Sequence, residues 1–92
     1  MATFYILYSP SINKYYIGSC NNFEDRLSSH NNHRYAIAFT RRASDWESYL
    51  KIENLKYEQA SKIELKVKSM KSRKYIENLK KYPELLEKLL KR

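Results

Sequence analysis

Thr3–Ser9 (TFYILYS) is a continuous hydrophobic run rich in aromatic and β-branched residues and predicts a strand, with Phe4, Ile6 and Tyr8 on one face and Tyr5 and Leu7 on the other. Pro10-Ser11-Ile12-Asn13 is turn chemistry, with Asn13 suited to a left-handed conformation. Extended sequence resumes over Lys14–Ser19. The two segments therefore read as a β-hairpin with Tyr5 and Tyr16 on neighbouring strands. Asn21-Asn22, followed by Phe23-Glu24-Asp25, reads as a helix start: an amide cap, then acids where the helix dipole favours them. Phe23, Leu27 and His30 share one face of that helix, Arg26 lies on its flank, and the pattern fades at Asn31-Asn32.

His33–Ser44 has no period and reads as a loop with a short structured piece. Asp45–Glu53 alternates, with Trp46, Leu50 and Ile52 on one face, and predicts the third strand. Tyr57, Ala60, Ile63, Val67 and Met70 form a helical stripe over Tyr57–Met70. Ser72–Lys81 reads as a short basic helix or turn. Pro83, at a first helical position, opens a last helix with Leu85, Leu86, Leu89 and Leu90. This order predicts an α+β domain: a small three-stranded antiparallel sheet, made of the N-terminal hairpin plus the third strand, flanked by helices.

The chain has 92 residues, enough for one core and hence one domain spanning 1–92. Nine tyrosines against three phenylalanines put several phenols in a groove, since a buried hydroxyl needs a partner. The formal charge of +8 points to a polyanionic partner, nucleic acid first among them. Cys20 is the only cysteine, which excludes an internal disulfide and a cysteine metal cluster. The N-terminal apolar run is too short for a signal peptide, and no segment approaches the roughly 20 apolar residues of a membrane span. The expectation is a cytoplasmic protein without a membrane or a small-molecule cofactor.

Phosphodiester hydrolysis needs an activated water, positive charge around the transition state and help for the leaving oxygen. Tyr5 and Tyr16 are paired phenols, Arg26 can contact a phosphate in two-pronged fashion, His30 follows it by one turn, and Glu64 interrupts a helix beside its apolar stripe. Each residue also has an ordinary role in packing, a dipole contact or a surface ion pair.

Together, Thr3-Phe4-Tyr5, then Tyr16-Ile17-Gly18, then Arg26-x-x-x-His30, then Glu64 resemble the GIY-YIG endonuclease family, in particular its small single-domain bacterial members. The second half of the motif is intact, with Ser19, Asn22 and Phe23 following at the family's intervals. In the first half Thr3-Phe4-Tyr5 stands for Gly-Ile-Tyr, and only the tyrosine is kept. The resemblance continues through Phe39-Thr40-Arg41, Trp46 and Ala60-x-x-x-Glu64.

It implies an endonuclease in which Tyr5 and Tyr16 orient or deprotonate water and Arg26 contacts the scissile phosphate. His30 is then a neighbouring acid–base group, and Glu64 is the single ligand of one Mg²⁺ or Mn²⁺. Asn78 matches a further asparagine of some members. Gly18 permits a close approach where the strand gives way to the helix. Arg34, Arg41 and Arg42, with Lys68, Lys71 and Arg73, are expected to track DNA phosphates in salt-dependent binding. No base-reading cluster stands out, so cleavage is expected to be structure- rather than sequence-specific, as DNA repair or recombination requires. The alternatives are a non-catalytic nucleic-acid-binding module that keeps the fold, and an adaptor for an acidic protein.

Overall fold

The computed structural model describes residues 1–31 and 42–90, apart from the side chains of Asp25, Ser28, Ser29 and His30. Most of the expected loop (33–41), with Arg34 and Arg41, lies outside the described residues. Strand β1 (Ala2–Ser9) leads through a turn into β2 (Lys14–Cys20), and helix α1 (Phe23–Asn31) follows. Strand β3 (Glu47–Leu55) precedes three helices: α2 (Tyr57–Met70), α3 (Arg73–Lys81) and α4 (Pro83–Leu90). The sheet is antiparallel in the order β2-β1-β3, so β1 is central. This is the α+β architecture expected from the order of elements.

Because β1 is central, both of its faces are buried, and each carries its own core. Ala2, Phe4 and Ile6 face a layer built from Ala60, Ile63 and Val67 of α2, Ile76 and Leu79 of α3, and Leu89 of α4. Tyr5 and Leu7 face the opposite side, with Cys20, Phe23, Ala43 and Trp46. Successive side chains of a strand point to opposite faces, so a strand buried on both faces carries a continuous apolar run, here Phe4–Leu7.

Trp46 lies on the other face of the sheet from Leu50 and Ile52, against the expectation that the three share a side. The register between β1 and β3 shifts between Ile6 and Leu7 and again between Ala2 and Phe4, and Asn54 takes a positive φ of 60° near the second shift. An extra residue reverses the alternation, so Tyr49 and Leu50 both pack on the helical side. Trp46 is tied down instead by Asn31 of α1. The Asn31 Oδ1 accepts the Trp46 N–H at 2.7 Å, and its Nδ2 donates to the Trp46 carbonyl at 2.9 Å.

The helix boundaries have local causes. Asn13 adopts φ 53° in the hairpin turn, as its residue type suggests. α2 ends on Lys71 at φ 47°, a left-handed cap whose N–H returns to the Lys68 carbonyl. Ser72 caps α3 by accepting the Tyr75 N–H at 3.2 Å. Tyr82 leaves helical conformation because Pro83 follows it. The ends of the α2 stripe are not core: Tyr57 is 73% exposed and Met70 41%. No helix among the described residues is long and apolar enough to cross a membrane.

Candidate active site

The edge strand β2 organises the site. Tyr5 on β1 is paired with Gly18 on β2, and its ring lies across the glycine. A Cβ on Gly18 would stand 2.6 Å from the Tyr5 Oη and 2.7 Å from its Cζ. The expected close approach at Gly18 is therefore made by a phenol, within a strand that runs on to Cys20 rather than ending beneath the helix. The register breaks lie between β1 and β3, and Gly18 is in regular pairing. The absent Cβ leaves the space that the Tyr5 hydroxyl and ring end occupy over the edge strand.

Tyr5 is 1% exposed, packed edge-on against Phe23 at 5.5 Å between centroids and tilted towards Tyr16 at 6.4 Å. Tyr16 is only half-buried, so it is the phenol that water reaches more readily. Arg26, half-buried on α1, lines a cleft of about 240 Å³ with Ser19, Cys20, Asn21 and Tyr57. The Cys20 thiol is pushed up by burial while the nearby Arg26 charge pulls it down; the net shift is upward, which keeps the thiol neutral.

Glu64 comes from α2, which packs on the opposite face of the sheet from Tyr5 and Tyr16. It reaches the edge strand through Ser19, the residue after Gly18. Its Oε1 accepts from the Ser19 hydroxyl at 2.6 Å, and Ser19 also lines the Arg26 cleft. Its Oε2 accepts from the Lys68 ammonium at 2.7 Å. The site thus wraps around Gly18–Ser19–Cys20, with phenols and guanidinium on one side and the carboxylate on the other.

The remaining expected residues are distributed unevenly. His30 belongs to α1, one turn beyond Arg26, with its side chain outside the described residues. Arg42 is exposed. Lys68, Lys71 and Arg73 line a second cavity along β2. Asn78 is half-buried on α3 and lines neither cavity; its carbonyl accepts the Tyr82 N–H at 2.8 Å. Two residues were missed as site members. Tyr57 belongs by period to the helical stripe of α2, and its place as the first residue of that helix is the available signal. Ser19, known only by its position in the motif, shares its side of β2 with Ile17 and faces Glu64.

A lone carboxylate suits Mg²⁺ or Mn²⁺, which keep several waters and take the rest of their oxygens from substrate. Among the described residues no group of three or more His, Cys, Asp or Glu side chains gathers to hold a metal. Glu64, a half-buried oxygen donor beside a serine hydroxyl, fits the single-carboxylate mode.

The architecture and this edge define a small α+β domain that brings phenols, a guanidinium and a carboxylate to one strand. The family model described as the GIY-YIG catalytic domain matches residues 1–80, and the chain belongs to that family, whose fold is that of a nuclease. Searches of the curated proteins and of the solved structures returned no match.

Proposed function

We propose that the protein is an endonuclease that hydrolyses phosphodiester bonds in DNA with one divalent cation. The observation that carries this reading is the Tyr5–Gly18 contact, which brings a phenol to the same strand edge as the Arg26 cleft and the Ser19–Glu64 hydrogen bond. Tyr16, more exposed than Tyr5, orients the attacking water through its phenol oxygen, and Tyr5 holds Tyr16 in place through ring contact. Arg26 binds two phosphate oxygens and offsets charge that builds up as the water oxygen bonds to phosphorus. His30, one turn further on, exchanges a proton with the attacking or leaving oxygen. Glu64 would hold the Mg²⁺ or Mn²⁺, which when bound supplies Lewis-acid stabilisation of the phosphoryl oxygens.

The net charge of +8 supports DNA as the partner. A second reading, a module that binds nucleic acid without cutting it, is favoured by one feature: both Glu64 oxygens already have protein partners. Incubating nicked, branched and single-stranded DNA with Mg²⁺ or Mn²⁺ separates the two. Cleavage by the wild type that disappears in Arg26→Ala and Glu64→Gln supports the endonuclease. Equal cleavage by all three proteins refutes it, and tight binding by Glu64→Gln without any wild-type cleavage selects the binding module.

A further inference from the structure

A second cavity, of about 230 Å³, opens along the same edge strand between β2 and the α2–α3 junction. Its floor is apolar, made by Ile17, Val67 and Ile76, while its rim is cationic, made by Lys14, Lys71 and Arg73. No carboxylate lines it among the described residues. Burial and the neighbouring Tyr49 push the Tyr15 phenol on its wall up to about 12, so it brings no negative charge at neutral pH. Lys14 and Lys71 are exposed and make no ion pair among the described residues.

Arg73 is held in place before any ligand arrives. Its guanidinium donates to the Asn13 carbonyl at 2.9 Å and to the Asn13 Oδ1 at 2.8 Å, and it stacks over the Tyr15 ring at 5.2 Å. A phosphate alone would need only the cations. The apolar floor beneath them matches a ligand with a flat hydrophobic face as well as an anionic group, and a nucleotide has both.

Position narrows the occupant. Ile17 and Ser19 are two residues apart on one side of β2, about 6.6 Å along the strand, and Ser19 is bonded to Glu64. Lys68 lines the cavity and also reaches Glu64. The cavity is therefore the next step along the strand edge from the carboxylate. A base paired inside a duplex must unpair and unstack to reach such a floor; an unpaired one leaves the stack at lower cost.

We propose that this cavity receives one unpaired DNA nucleotide flanking the scissile phosphodiester, with its base on the Ile17–Val67–Ile76 floor and its phosphate between Lys14, Lys71 and Arg73. The inference rests on the nuclease reading for the role of Glu64, and it names the DNA structure selected.

The test measures binding in Ca²⁺ buffer, with a duplex carrying a single unpaired aminopurine (a fluorescent adenine analogue) and the same duplex fully paired. Expected are tighter binding of the unpaired form and a rise in aminopurine emission as the base leaves the stack. Lys14→Gln/Lys71→Gln should weaken binding of the unpaired form by about tenfold or more and lower its log–log salt slope by about 0.7–0.9, the loss of one phosphate contact. Lys62→Gln/Lys88→Gln, an equal charge change at exposed positions of α2 and α4, should do neither. Equal affinity for the two duplexes with unchanged emission, or equal losses in the two double variants, overturns the proposal even if Mg²⁺-dependent cleavage is intact. Preference for the unpaired duplex without cleavage supports the nucleotide site in the cavity while removing the nuclease reading and with it the scissile phosphodiester beside that site.

Discussion

Gly18→Ala tests the geometry on which the site depends. Gly18 has no positive φ, so alanine brings no backbone strain, and lower chain entropy in the unfolded state would favour it by about 0.5–1 kcal/mol. Against this stands a new Cβ at 2.6 Å from the Tyr5 Oη and 2.7 Å from its Cζ, where unstrained carbon contacts lie near 3.5–4.0 Å. The ring must therefore shift by about 1 Å. It has little room to do so, being 1% exposed and held by Phe23 and Tyr16. Overpacking of this kind costs about 1–3 kcal/mol, so the net effect is destabilising by about 1–2 kcal/mol, or about 4–16 °C in Tm for a chain of this length. The assay is thermal unfolding followed by circular dichroism, in wild-type and Tyr5→Leu backgrounds. The substitution should be costly in the first and close to neutral in the second, where the aromatic ring is gone. An equal cost in both backgrounds, or none in the wild type, would refute the claim that the glycine exists to seat the Tyr5 ring.

Three other perturbations probe the frame around the site. Asn31→Ala removes both hydrogen bonds to the Trp46 backbone and should lower stability by about 1–3 kcal/mol, read as the denaturation midpoint in urea; an unchanged midpoint would show that α1 is not anchored there. Asp45 is held below the ordinary carboxylate range first by the Ser9 hydroxyl, then by the N–H and hydroxyl of Ser11. Its folded-state value lies below its unfolded one, so its contribution is present at neutral pH and lost as acid carries the pH down through the folded value. Asp45→Asn should melt below the wild type at neutral pH and converge with it as acid carries the pH below the ordinary carboxylate range, whereas parallel Tm–pH curves would contradict the assignment. Lys71→Gly relieves a left-handed lysine at φ 47° and should raise Tm by about 2–8 °C while weakening DNA binding at low salt; a lower Tm would show that the cap is not strained.

Much of the fold was legible because it depends on local periodicity. The aromatic and β-branched run TFYILYS locates β1, the two-residue period of a strand assigns Phe4 and Tyr5 to opposite faces, and the Ala60–Ile63–Val67 stripe locates α2. Pro83 marked the start of α4, and Asn13 the left-handed turn. Trp46 was assigned to the wrong face because a register shift leaves the local pattern of β3 looking regular; only pairing with β1 reveals the extra residue. Tyr57 fitted the helical period yet lies past the edge of the core, since a period says which residues share a side and not how far their partner extends.

The chain by itself determined the class of domain, the family and the supply of phenols, guanidinium and carboxylate, because these follow from residue type and short-range spacing. Tertiary structure alone decided that Gly18 is a seat for Tyr5, that Ser19 joins Glu64 to the Arg26 cleft around a strand edge, and that Lys14 and Arg73 flank one cavity. Each of these joins residues far apart in the chain, and their meeting depends on strand pairing and helix docking, for which no local stretch of sequence carries the information.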